Sequence, residues 1–404
     1  MLRILHLHTV PNEDDQSPTW LELFFDLVYV AILVELGNRL SHNFTLQGTL
    51  AFVLLFIPIW WSWLGLVFFT RYFPHDDFGQ RLLTVAYMGA MILLAFEIHA
   101  VTGPTAGTFI AIYAITKFIL AVIYARAWLQ YPEYRSLTAH FVLIYLLLGS
   151  LWVFIAVAAP HNYGLWALVM AIDILSPVIF QGFRRLQNRP PINHPPVKHH
   201  YLMHRFGELT IIVLGEFFIK LATSSEGRTV TRFNLYIGLC LLGISVSLWW
   251  LYFDHLGHAS LTAARSRIGI WMYTHFPLLA GIAAYGVVGT KIFAAQPGDV
   301  LSDDKRYLLT FALTVAILAL GVIEKSSPEL DGPMTRKHQL KIRAVGAALL
   351  VFLGVLGGQL GVGLVTTLVV LILLSQVGYD IYSRMRNAEP ASGMGSTEPI
   401  STHT

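Results

Sequence analysis

Glu22 and Asp26 lie four residues apart inside Trp20-Leu-Glu-Leu-Phe-Phe-Asp-Leu-Val-Tyr-Val-Ala-Ile-Leu, a run otherwise apolar enough to enter a bilayer. An acid near the middle of a membrane helix costs about 2.5 to 3.5 kcal/mol on insertion scales, so it needs a partner, a water-filled cavity or a task. The chemistry open to such acids is proton uptake and release, or pairing with a charge that moves. A second run, Arg205-Phe-Gly-Glu-Leu-Thr-Ile-Ile-Val-Leu-Gly-Glu, repeats the pattern with Glu208 and Glu216, and Lys220 follows Glu216 by one helical turn. Asp26, Glu216, Glu22, Glu208 and Lys220 are therefore the candidates for transport or proton coupling. Glu22 reads equally well as a helix-end acid, because Ser17 and Pro18 would make a natural cap and first turn ahead of it. Asp26, one turn deeper, has no such explanation.

Two further charges fall near mid-membrane by position count, Lys117 and Asp173. They are natural partners, and an interhelical pair between them would serve as structural glue or as a gate that opens when substrate binds. Trp60, Trp61, Trp63, Trp249 and Trp250 sit too far inside their runs to be belt anchors only; packing or an aromatic wall for an organic or cationic ligand are the two readings. His200, His204 and Glu208 have ligand-capable spacing on one helical face, but a metal there is not the expected reading, since zinc sites usually need three or four fixed donors. His75, Asp76 and Asp77, and Asp254, His255 and His258, form similar groups that serve equally as loop caps. His275 reads first as a hydrogen-bonded core histidine and second as a group titrating near neutral pH, Glu35 reads as interfacial, and Glu97 and His99 as interfacial groups or the mark of an outer vestibule. No Walker loop, serine elbow, His-Glu-x-x-His or dinucleotide fingerprint occurs, so no catalytic residue is assigned and no cofactor is implied.

The elements that must position these residues are membrane helices. Of the 404 residues, 55% are hydrophobic and only 13% charged, against roughly 25% charged in soluble domains. Cys240 is the single cysteine, which excludes an intrachain disulfide and a Cys-based metal site. The net charge of +3 gives no reason to expect a nucleic-acid partner. Twelve apolar runs of spanning length lie near 18–40, 46–69, 81–101, 105–128, 136–158, 162–183, 205–223, 232–256, 268–290, 307–324, 342–357 and 360–381. The last two are separated only by Gly357-Gly-Gln-Leu-Gly361, so one long hairpin or re-entrant segment would also fit. Alternate loops differ sharply in charge: one side holds 19 of the 27 Lys and Arg, which places both termini in the cytoplasm. Met1 to Gln16 carries no cleavable leader pattern, so the first helix is expected to act as its own insertion signal.

The halves look duplicated. Glu22 answers Glu208, Trp60-Trp61 answers Trp249-Trp250, and Arg81 and Tyr87 answer Arg267 and Tyr273, at offsets of 186 or 189 residues. The expected organisation is an all-α polytopic protein: a cytoplasmic tail (1–17), a first six-helix repeat (18–183), a Pro-rich basic cytoplasmic linker (184–204), a parallel second repeat (205–383) and a disordered tail (384–404).

The segments Glu22-Leu-Phe-Phe-Asp-Leu-Val-Tyr-Val and Arg205-Phe-Gly-Glu-Leu-Thr-Ile-Ile-Val-Leu-Gly-Glu resemble the two signature segments of the bacterial low-temperature requirement A (LtrA) family. The resemblance implies a multipass protein of the bacterial inner membrane linked to growth in the cold. Two positions depart from the family pattern, Glu208 and Phe217, where Leu or a similar residue and a small polar residue are usual. Taken with the acids in both halves, the leading expectation is a secondary transporter or permease for a small solute or ion, with proton coupling, surrounded by membrane lipids. The alternatives are a membrane-embedded metal-dependent or lipid-handling enzyme, and a non-catalytic envelope scaffold.

Overall fold

The computed structural model describes residues 18–73, 77–101, 103–186, 199–224, 227, 229–256, 265–327 and 333–388. Residues 1–17, 187–198 and 389–404 of the expected tails and linker, and His75, Asp76 and His258, lie outside them, whereas 184–186 and 199–204 of the expected linker and 384–388 of the expected disordered tail are helical. Twelve α-helices carry the described chain: α1 (Trp20–Ser41), α2 (Leu46–Tyr72), α3 (Phe78–Glu97), α4 (Ala106–Gln130), α5 (Arg135–Ala158), α6 (Tyr163–Leu186), α7 (His199–Ser224), α8 (Arg232–Leu256), α9 (Arg265–Phe293), α10 (Asp303–Ser326), α11 (Pro333–Leu356) and α12 (Val362–Ala388). The fold is all-α, and the protein is a multipass membrane protein. The final apolar stretch resolves into two helices, because the Gly-rich break forms a 3-10 turn at Gly357–Gln359 and Val362 N–H donates to the Asp299 carbonyl at 2.8 Å.

Ten of these helices are long and apolar enough to cross a membrane. The two that miss this criterion are α1 and α7, the helices carrying the signature segments. Their lengths of 22 and 26 residues suffice for a crossing at about 1.5 Å per residue, but every 18-residue window of either contains three or more charged side chains. Helix α7 also starts six residues ahead of the apolar run, so that His200 and His204 lie on its first turns.

The cap of α1 differs from the expected one. Thr19 is the N-cap, and it forms a capping box with Glu22: the Glu22 N–H donates to the Thr19 hydroxyl at 3.3 Å and the Thr19 N–H donates to Glu22 Oε2 at 2.8 Å. A Thr three residues before a Glu satisfies two end donors at once, which Ser17 could not do from its position.

The chain divides into two compact units, Met1–Glu226 with Ile282–Thr290, and Gly227–Gly281 with Lys291–Thr404. In the first, α1 packs on α2, α3 and α7, while α4 bridges α3, α5 and α2. Its core is aromatic, with Phe25, Tyr29, Phe56, Trp63, Phe69, Tyr87, Tyr113 and Tyr124 all buried. In the second, α10 packs on α11 and α8, and α12 on α8 and α11. That unit is tied together by Arg343 of α11, fully buried, which donates to Glu324 of α10 at 2.7 Å, to Gln376 of α12 at 3.3 Å and to Asp380 of α12. Nothing in the sequence patterning points to this cluster; Arg343 and Glu324 stand at the edges of apolar runs and read as loop-side charges.

Candidate functional site: a buried charge centre on α1, α2 and α7

Asp26 is fully buried in the first unit. Its Oδ1 accepts from two donors brought by different helices, the Trp63 indole N–H of α2 at 2.8 Å and Arg205 Nη2 of α7 at 2.7 Å. The guanidinium carbon also stands 5.9 Å from the Trp63 ring centre, and the Trp63 ring meets Phe206 edge-on at 5.0 Å. One turn toward the start of α1, Glu22 Oε1 accepts from the Tyr201 hydroxyl, which shares a 2.7 Å hydrogen bond with Thr70 of α2. Glu22 with Tyr201 and Asp26 with Arg205 are both four-residue steps, so α1 and α7 run parallel and in register.

Several polar atoms of this centre are buried without a hydrogen-bond partner in the protein: Asp26 Oδ2, Tyr29 OH, Arg205 Nε and Nη1, and Glu208 Oε2. A buried polar atom left unpaired costs roughly 1 to 3 kcal/mol, so a site holding five of them is built for something other than packing. The electrostatic field of Arg205 reaches Asp26, Tyr201, Glu22 and Glu208, which sets one fixed cation among three acids.

Further along the same two helices, Glu216 pairs with Lys220 at 2.9 Å, and Lys220 Nζ donates to the Val34 carbonyl of α1 at 3.3 Å. Gly37 makes this possible, because a Cβ there would stand 2.6 Å from Lys220 Nζ. At the far end of α1, Glu35 meets His99 at 2.8 Å and Arg39 donates to the Ile98 and His99 carbonyls at 3.0 and 2.8 Å. Asp26 and Glu216 are thus not neighbours: each has its own base, and eleven positions of α7 separate Arg205 from Glu216.

The Lys117 ammonium on α4 lies 2.6 Å from Asp173 of α6, both side chains being buried. Both touching atoms are shut off from solvent, so the pair is a buried ion pair. Tyr113 and Tyr145 place their rings 4.8 and 5.8 Å from the ammonium, which spreads its charge over two π faces. Trp60 and Trp61 are buried in the first unit, whereas Trp249 and Trp250 are 42% and 38% exposed on α8, so only the first pair can contribute to an interior wall.

His200 and His204 stack edge-on at 4.3 Å, and partial burial together with the neighbouring His200 pushes the His204 imidazole down from its ordinary range. Among the described residues no group of three His, Cys, Asp or Glu comes together to hold a metal ion. In the second unit, His275 lies between the Trp271 carbonyl at 2.8 Å and the Tyr252 hydroxyl at 3.0 Å, the satisfied core arrangement. His255 bonds Ser327 at 2.8 Å, and Asp77 caps α3 while accepting from Arg126 at 2.7 Å.

The residues missed in sequence are Arg205, Tyr29 and Tyr201 as members of the centre, and Trp63 stands out there only as an aromatic-wall candidate and not as a donor to Asp26. Arg205 stands 179 positions from Asp26, at the edge of its apolar run, where a base reads as interfacial. The two tyrosines are aromatic and blend into their surroundings.

Residues 17–377 match the family model described as bacterial low temperature requirement A protein (LtrA). A protein of Rhizobium meliloti (strain 1021), named only as uncharacterized protein RA0937, is 23% identical over 297 residues, which cover 71% of this chain and 72% of that one. With the family model spanning most of the chain, including both segments that build the Asp26 centre, this protein belongs to the bacterial LtrA family.

Proposed function

We propose that this LtrA-family protein is a proton-coupled secondary transporter of the bacterial inner membrane, with both termini in the cytoplasm. The observation that carries the reading is the Asp26–Arg205 pair, fully buried between α1 and α7, with unpaired polar atoms on both partners and on Tyr29 and Glu208 beside it. A scaffold gains little from such a centre, since apolar side chains of similar volume hold helices together as well or better. Ionisable residues within a membrane mark ion or proton paths, and here they recur along α1 from Glu22 to Glu35, about 20 Å at 1.5 Å per residue. Lys117 and Asp173 would act as the gate, a charged link between α4 and α6 that opens when a solute enters. A role in cold growth, which the family's name implies, would then be exercised through solute or ion balance across the membrane.

The test uses proteoliposomes of the full chain loaded with a pH-sensitive dye and held at an imposed pH gradient. Pools of small amines, amino acids, organic acids and inorganic cations are added in turn. At least one pool should collapse the gradient with wild-type protein and leave it intact with Asp26→Asn. A wild-type protein that responds to no pool, or an Asp26→Asn variant that responds as wild type does, would overturn the proposal.

A further inference from the structure

Which acid of the centre carries the exchangeable proton can be argued from donor counting. Glu22 is provided for: it accepts from the Thr19 N–H at 2.8 Å, the Thr19 hydroxyl at 3.1 Å and the Tyr201 hydroxyl, and it lies at the positive end of α1. Asp26 holds two donors on Oδ1, the Trp63 N–H and the Arg205 guanidinium, while its Oδ2 is buried without a partner. Glu208 is less well provided for. It follows Arg205 by three residues on the same face of α7, its side chain is half-buried, and its Oε2 is fully buried with no hydrogen-bond partner. The charged groups whose fields reach it are Glu22 and Asp26 from α1 and Arg205 from its own helix, on which His204 precedes it by four residues. Arg205 is the one fixed cation among these, and Asp26 already holds its Nη2.

We propose that Glu208 is the group that takes up and releases the coupling proton, and that Asp26 is a positioning residue that holds Arg205. The inference rests on the transporter reading above and assigns its proton. On loading, a proton leaves hydronium and forms an O–H bond at Glu208 Oε2, giving a neutral carboxylic acid and water; on release that bond breaks and the proton returns to water. Neutralising Glu208 removes one negative charge from a site that holds three acids and one guanidinium, which lowers the cost of burying it.

Proton uptake by the purified full-length protein in detergent, followed with a pH indicator during acidification, separates the two acids without any transported solute. Wild type should bind one more proton than Glu208→Gln, and Glu208→Asp should retain that proton. Asp26→Asn should also retain it but bind it at lower pH, because the freed Arg205 then stabilises the Glu208 anion. Uptake lost in Asp26→Asn and kept in Glu208→Gln would overturn the assignment, as would a wild-type protein that binds no more protons than Glu208→Gln. Glu208→Gln takes no donor from its neighbours and should have a Tm no lower than that of wild type, which serves as the folding control. A positive result here alongside silent proteoliposomes would leave the proton site standing while the transporter reading fails.

Discussion

Arg205→Met should destabilise the protein by about 3 to 5 kcal/mol, the usual cost of breaking a buried ion pair from one side. Methionine keeps much of the stem's apolar volume, so the loss measures the charge and not a cavity. The variant leaves the Asp26 carboxylate fully buried with a single donor, Trp63, and removes the contact between the guanidinium and the Trp63 ring. The second variant, Arg205→Met with Asp26→Leu, removes both charges and should recover most of the lost stability, since an apolar pair of similar volume packs well in such a place. Denaturant or thermal unfolding in detergent reads both. Recovery of stability together with complete loss of solute-driven proton movement would separate the two roles of the pair. If the double variant is no more stable than Arg205→Met, the charge pairing is not what holds Arg205 in place.

Lys117→Met should have a loss of the same order, about 3 to 5 kcal/mol, at a different joint of the first unit. Here the abandoned partner is Asp173, which has its touching oxygen buried and no other base beside it among the described ion pairs. The effect should be concentrated at α6, a helix that packs mainly on α5 and exposes Leu168, Leu175, Val178 and Ile179 on its outer side. Limited proteolysis or hydrogen exchange should therefore show α6 loosening before the rest of the unit. Lys117→Arg should not restore it, because a planar guanidinium cannot occupy the place of a compact ammonium held between the Tyr113 and Tyr145 rings. Uniform loosening of the whole chain would argue against a local link between α4 and α6.

The helices were legible because each is long, apolar and closed by a polar or Gly-rich break. The charges that matter were legible only where they interrupt such a run. Asp26, Lys117, Asp173 and Glu216 stand out for that reason. Arg205, Arg343, Glu324 and Asp380 sit at the edges of the apolar runs, where a charge costs little and therefore signals little, yet all four are buried. Tyr29 and Tyr201 carry their polar atom at the tip of an apolar body, so patterning records them as core. The pairing itself could not be read from spacing at all. A sequence places Asp26 and Glu216 as answering acids of two similar segments, whereas three-dimensional contact gives each a different base on α7. The six-helix repeat rests on sequence offsets alone.

The most direct measurement asks whether the charge centre is reached from water on both sides of the membrane. A membrane-impermeant carbodiimide reacts with protonated carboxyl groups and can be added outside sealed proteoliposomes or trapped within them, with the labelled residue identified by mass spectrometry. With protein inserted in one orientation, Glu208 should be labelled from either side under mildly acidic conditions, while Asp26 stays unlabelled in its pair with Arg205. Labelling of Glu208 from one side only, or from neither, would contradict a centre that alternates between the two faces of the membrane.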